Sequence, residues 1–237
     1  MQRTVASIGG NWLWFIALLA LTLGGCQRCE QCQVTVPAAA PQPEQNFNLT
    51  IQPQAGLGNG VSHNMVNLVD KNVPTDWSVE DKKHKNIKWV AKLGDEAYCN
   101  PVVFGGRVFV ATNNKHPRDP KVTGTKGILM CFAESDGKFL WQNVHPMPPE
   151  EIVRHAVNAG LCSTPTVEGE FVYYCGPACE VIKVNVKDGS IAWRYDMMKE
   201  LKVIPCFVCA SSPLVIGDLV FVVTGNGTDD DNKVPAP

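Results

Sequence analysis

Cysteine is the residue type with the most chemistry to offer in this chain. There are ten in 237 residues, and seven of them are grouped: Cys26-x-x-Cys29-x-x-Cys32, Cys175-x-x-x-Cys179 and Cys206-x-x-Cys209, with Cys99, Cys131 and Cys162 alone. Cys-x-x-Cys spacing suits zinc or a redox dithiol. Brought together, Cys175, Cys179, Cys206 and Cys209 would make a four-thiolate metal site. In an oxidising compartment the same pairs close as disulfides. Spacing leaves disulfide, unpaired thiol and metal all open. No Cys-x-x-Cys-His occurs, so this pattern excludes covalent haem.

Other reactive residues offer less. The histidines are His63, His84, His116, His145 and His155, and none shares a helical or strand spacing with an acid and a nucleophile. There is no G-x-S-x-G elbow. The acid run Asp229–Asp231 lacks the glycine and terminal glutamate of a calcium loop, and it reads as a solvated loop. No residue earns a catalytic assignment. With 21 Lys+Arg against 23 Asp+Glu the net charge is -2, and no long basic run offers a nucleic-acid footprint. The 20 glycines, 17 prolines and 45% hydrophobic residues describe a turn-rich globular chain that leans toward β structure. That composition excludes wholesale disorder and a polytopic membrane protein.

The N-terminal 25 residues read as a leader. Trp12 to Leu23 is uncharged and, Thr22 apart, apolar throughout, too short for the roughly 20 residues that span a bilayer. It fits the apolar region of a secretory signal. Leu23-Gly24-Gly25-Cys26 resembles the bacterial lipobox, which implies acylation of Cys26 as a lipid anchor. Gln27 after that cysteine implies the outer membrane. Residues 26–60 are rich in proline, alanine and glutamine with no apolar period, and are expected to be a flexible tether.

From residue 61 to 237 the chain repeats. Asn100-Pro101-Val102-Val103-Phe104-Gly105-Gly106-Arg107-Val108 aligns with Thr164-Pro165-Thr166-Val167-Glu168-Gly169-Glu170-Phe171-Val172 and with Ser212-Pro213-Leu214-Val215-Ile216-Gly217-Asp218-Leu219-Val220. Each copy predicts a hairpin with a glycine-containing two-residue turn. A second hairpin follows twice, over 128–141 and 181–193, each turning on Asp-Gly and closing on Trp141 or Trp193. Ile87-Lys88-Trp89 matches the exit of an earlier copy. The three tryptophans are spaced by 52 and 52 residues. Two hairpins per such period give four strands per unit, the arithmetic of a propeller blade. The expected class is therefore all-β, with four-stranded antiparallel blades.

The combination of S/T-x-P-x-V-x-G-x-x-V-x-V with D-G-x-x-x-W resembles the PQQ-like (quinoprotein) β-propeller repeat, over roughly Lys85 to Gly227. The resemblance implies that Trp89, Trp141 and Trp193 dock each blade against its neighbour. It also implies a ring of seven or eight blades, roughly 350 residues at this period. The repeat region is thus a partial ring, expected to be a fragment of a longer reading frame, or else closed between chains. Quinone-dependent dehydrogenases of this family hold PQQ with calcium, a catalytic aspartate and, commonly, a disulfide between adjacent cysteines. This sequence has no Cys-Cys pair. Other members bind no quinone and use the ring for docking, as does the lipoprotein of the outer-membrane β-barrel assembly machine. The expectation is a non-catalytic, lipid-anchored envelope scaffold without cofactor. It would dock envelope proteins or a small ligand through rim loops such as His116–Pro120 and Asn143–Gly160. The alternative is a piece of a PQQ- and calcium-dependent alcohol or sugar dehydrogenase.

Overall fold

The computed structural model describes residues 4–6, 54–57, 70–80, 83–153, 156–205 and 208–224. Two short strands, β1 (Thr4–Ala6) and β2 (Gln54–Ala55), precede the repeats. Then come β3 (Val102–Phe104), β4 (Arg107–Asn113), β5 (Lys126–Ala133) and β6 (Phe139–Pro146), followed by a single helical turn, α1 (Glu150–Val153). The second repeat is β7 (Thr166–Glu168), β8 (Phe171–Cys175), β9 (Glu180–Asn185) and β10 (Ile191–Asp196), and α2 (Met197–Leu201) follows it. A last hairpin pairs β11 (Leu214–Ile216) with β12 (Leu219–Val223).

The first sheet is an antiparallel meander in the order β3-β4-β5-β6, and the second repeats it as β7 to β10. These are propeller blades, and the protein is an all-β partial propeller. The inner hairpins turn where glycine removes the cost of positive φ: Gly105 and Gly106 at 57° and 73°, Gly169 at 56° and Gly217 at 56°. β2 adds to the free edge of β7, with Gln54 opposite Glu168 and Ala55 opposite Val167. This pair lies inside the stretch expected to be a plain tether. It is ordered there because the inner edge of a blade leaves backbone groups to be matched. The Gln54 side chain also reaches the third unit, donating to the Val215 carbonyl at 3.0 Å. β1 runs along β12, on the edge that β5 and β9 occupy in the first two sheets.

Side chains alternate across each strand, so a blade covered on both faces needs apolar residues in succession. β8 shows this in Phe171-Val172-Tyr173-Tyr174-Cys175. Val172 and Tyr174 enter a core shared with Phe109, Ile128, Leu129 and Phe132 of the first sheet. Tyr173 and Cys175 point the other way, into a core with Val215, Val220 and Val222 of the third.

Antiparallel order sorts the connections to two rims. The turns inside each hairpin, 105–106, 134–138, 169–170, 186–190 and 217–218, lie at one rim and are short. The opposite rim carries segments 114–125, 147–165 and 197–213 and the shorter 176–179.

Candidate functional site

The short-turn rim is built for blade contact. Asp136 and Asp188 close their turns by accepting from the Lys138 and Ser190 amides at 3.0 and 2.9 Å. The glycine that follows each, at φ 73°, lies beneath a tryptophan from the preceding repeat. A methyl group added at Gly137 would sit 2.6 Å from the Trp89 ring, and one at Gly189 would sit 2.6 Å from Trp141. The indole N–H groups donate to the carbonyls of Glu134 at 2.9 Å and Val186 at 3.0 Å. Trp193 rests against Tyr173, with ring centroids 6.4 Å apart.

A second set of blade contacts explains the Ser/Thr of the repeat, whose role is not legible from sequence. Ser163 accepts from the Cys175 amide at 3.0 Å and donates to the Ser211 carbonyl at 2.6 Å. Ser211 accepts from the Val223 amide at 2.9 Å. Cys99 holds the same place in the first repeat, accepting from the Ala111 amide at 2.9 Å. One position on, Thr164 accepts from Asn100 N–H at 3.0 Å, and Ser212 from Thr164 N–H at 3.2 Å. These hydroxyls link the starts of consecutive inner strands. The only advance signal is a Ser or Cys two residues before the proline of each inner strand, at Cys99, Ser163 and Ser211.

Among the described residues, the long-loop rim carries the feature best suited to a ligand. A cavity of about 380 Å³ opens between segment 114–125 and Asn158, with Asn113, Asn114 and Lys115 among its lining. Its floor is fixed. Asn113 is buried, and its amide donates to Asp95 Oδ1 at 2.6 Å and to the Asn158 carbonyl at 2.8 Å. Glycines at 94 and 160 let the surrounding loops close on it, since a methyl group at either would lie within 2.5 Å of an Asn113 atom. Asn114 donates to the carbonyls of Val122 and Gly124, at 2.9 and 3.2 Å, and so curls the loop into a wall. Lys115 and His116 remain exposed on it. Arg118 instead turns back over Phe139, 4.7 Å from the ring centroid, and donates to the Lys92 carbonyl. Both loops singled out in the sequence, around His116–Pro120 and within Asn143–Gly160, thus contribute to this one rim.

His145 has another place. It is buried between the first two blades, with its Nε2 2.9 Å from the Tyr174 hydroxyl. Burial, with Arg194 nearby, pushes its pKa down to about 4. It is therefore neutral at pH 7, with the Tyr174 hydroxyl as its partner.

The cysteines divide. Cys131 and Cys162 are pushed up by burial, to about 12 and about 11. Cys175, Cys179 and Cys209 meet at the long-loop rim between the second and third units, inside one apolar cluster. The three side chains pack together there, and the Cys209 amide donates to the Pro177 carbonyl at 3.2 Å, in the turn between the other two. Contact with Cys209, then burial, raises the first two, and contact with them lowers Cys209. All six described cysteines are free thiols. Among the described residues no three His, Cys, Asp or Glu side chains are arranged to hold a metal ion. Cys206, the lipidation candidate Cys26, His63, His155 and Asp229–Asp231 lie outside the described residues. Among those described, no helix is long and apolar enough to cross a membrane.

Compared with known families, the chain matches the family model for the outer membrane protein assembly factor BamB over residues 89–229. No curated protein matches the chain.

Proposed function

Because the chain belongs to the family of the outer membrane protein assembly factor BamB, a PQQ-like propeller repeat family, we propose that it is a non-catalytic binding module of the cell envelope. In this reading it is exported, held to the membrane through a lipid on Cys26, and docks envelope proteins through the long-loop rim. Trp89, Trp141 and Trp193 hold the blades in register beneath that surface.

One observation carries the reading. The family match coincides with a rim whose cavity floor is pinned by hydrogen bonds and whose wall mixes Pro117, Pro120 and Val122 with Lys115, Thr123 and Thr125. A fold of this kind does not by itself bring catalysis. A quinone site would need calcium ligands and a carboxylate converging on the ring axis. No step is assigned to the quinone.

The test is recovery of envelope proteins on the tagged, full-length protein, compared between wild type and Lys115→Glu. The reading predicts a defined set of envelope proteins retained by wild type and depleted at least several-fold by the substitution. Equal recovery by both proteins would overturn rim docking. Substrate-dependent dye reduction after addition of PQQ and Ca²⁺ would overturn the non-catalytic reading.

A further inference from the structure

Cys209 is the shared partner of two thiols that belong to a different blade. Cys175 ends β8, and Cys179 closes the four-residue turn into β9 at φ 59°, its N–H donating to the Gly176 carbonyl at 3.1 Å. Cys209 arrives from the segment that leads into β11. Its own amide donates to the Pro177 carbonyl at 3.2 Å, so its backbone is seated on the middle of that turn. All three sulfurs are enclosed, with Cys175 0%, Cys179 1% and Cys209 5% exposed. Sequence spacing leaves open both pairing within each motif, Cys175 with Cys179 and Cys206 with Cys209, and a meeting of the two motifs. The fold brings Cys209 onto the Cys175–Cys179 turn.

We propose that Cys209 is the attacking thiol of an inter-blade redox staple, forming a disulfide with the Cys175–Cys179 turn. The oxidant is a small disulfide or the disulfide of a thiol oxidoreductase. Cys209 thiolate attacks one sulfur of that disulfide, giving a mixed disulfide and releasing one thiolate. The thiolate of Cys179 or Cys175 then displaces the second thiolate from Cys209. The protein loses two thiol protons and two electrons. The oxidant takes up both, leaving as two thiols. Attack from outside requires the 208–210 segment to lift from the turn, which parts one backbone hydrogen bond at Cys209. Once closed, the bond ties the second blade covalently to the strand hairpin that follows it. The contact between blades is present wherever the protein resides, and the redox poise around it sets how far the bond closes.

The test uses the purified full-length chain equilibrated with reduced and oxidised glutathione, alkylated, digested with trypsin and mapped by mass. Residues 155–183 and 203–233 fall on separate tryptic peptides, the first with Cys162, Cys175 and Cys179, the second with Cys206 and Cys209. The expected product is these two peptides joined, two hydrogens lighter than their sum, with fragmentation placing the bond on Cys209 and on Cys175 or Cys179. The link should persist in Cys206→Ser and vanish in Cys209→Ser and in the double variant Cys175→Ser/Cys179→Ser. Bridges confined within either peptide in the wild type would overturn the proposal. So would a link through Cys162, a link lost in Cys206→Ser, or no bridge at any glutathione ratio. The fragmented wild-type peptides already separate these outcomes, so the result does not hang on the folding of a variant.

Discussion

The two rims of the stack are made from the same strands and obey different constraints. At the short-turn rim each repeat reuses one solution: an aspartate that caps the turn, a glycine at positive φ, and a tryptophan from the previous repeat laid on that glycine. At the long-loop rim the repeats diverge. The first blade sends out residues 114–125 and builds a cavity, whereas the second turns in four residues and builds a thiol cluster. A repeat must fix one end to propagate the stack, which leaves the other end free to vary. The short-turn rim thus repeats one contact, whereas the long-loop rim keeps the Ser163 and Ser211 links and varies around them.

Substitutions should separate the rims. The largest effect belongs to Trp141→Ala, which removes a ring that is 8% exposed along with its bond to Val186. A loss of about 3–5 kcal/mol is expected in a denaturant titration. Gly189→Ala should cost clearly more than Gly169→Ala on the same rim. Gly189 has Trp141 above it, whereas nothing lies within 4 Å of Gly169, leaving the latter a φ penalty of roughly 1–2 kcal/mol. Equal costs would sink the idea that the turn glycine is a blade contact.

His145 gives the next effect, set by pH. Its folded pKa of about 4 lies below the ordinary value of 6.5, so the unfolded chain binds the proton first. Stability from this group is full above pH 6.5 and falls as pH drops from there to about 4. Complete loss is worth about 3 kcal/mol by linkage. Urea midpoints across that range should fall more steeply for wild type than for His145→Phe. Ser163→Ala, which leaves the buried Cys175 amide without its acceptor, should cost about 1–3 kcal/mol. Smallest of all, Lys115→Glu on the exposed wall should change stability by less than about 0.5 kcal/mol while reducing partner recovery.

Legibility in the sequence follows the same division. Both hairpins of each repeat are legible because their signals are local: proline before a β-branched run, glycine in a two-residue turn, Asp-Gly before the closing tryptophan. The long-loop rim is not local. Asn113 becomes the cavity floor only because loops from residues 94 and 158–160 meet on it, and no spacing announces that meeting. The cysteines show the difference most plainly. Their motif spacing leaves pairing within a motif and contact between motifs both open, and the fold seats Cys209 on the turn that Cys179 closes, 30 residues earlier in the chain. Strand β2 is hidden too, since Gln54-Ala55 has no strand pattern of its own and is ordered by the open edge of β7.

The central claim is that partners meet the long-loop rim and leave the short-turn rim bare. A photo-crosslinking amino acid at position 115, compared in intact cells with one at the exposed turn position 170, tests it directly. The account predicts discrete adducts with envelope proteins from 115 and none from 170. Adducts from 170 alone, or from both positions equally, would contradict it.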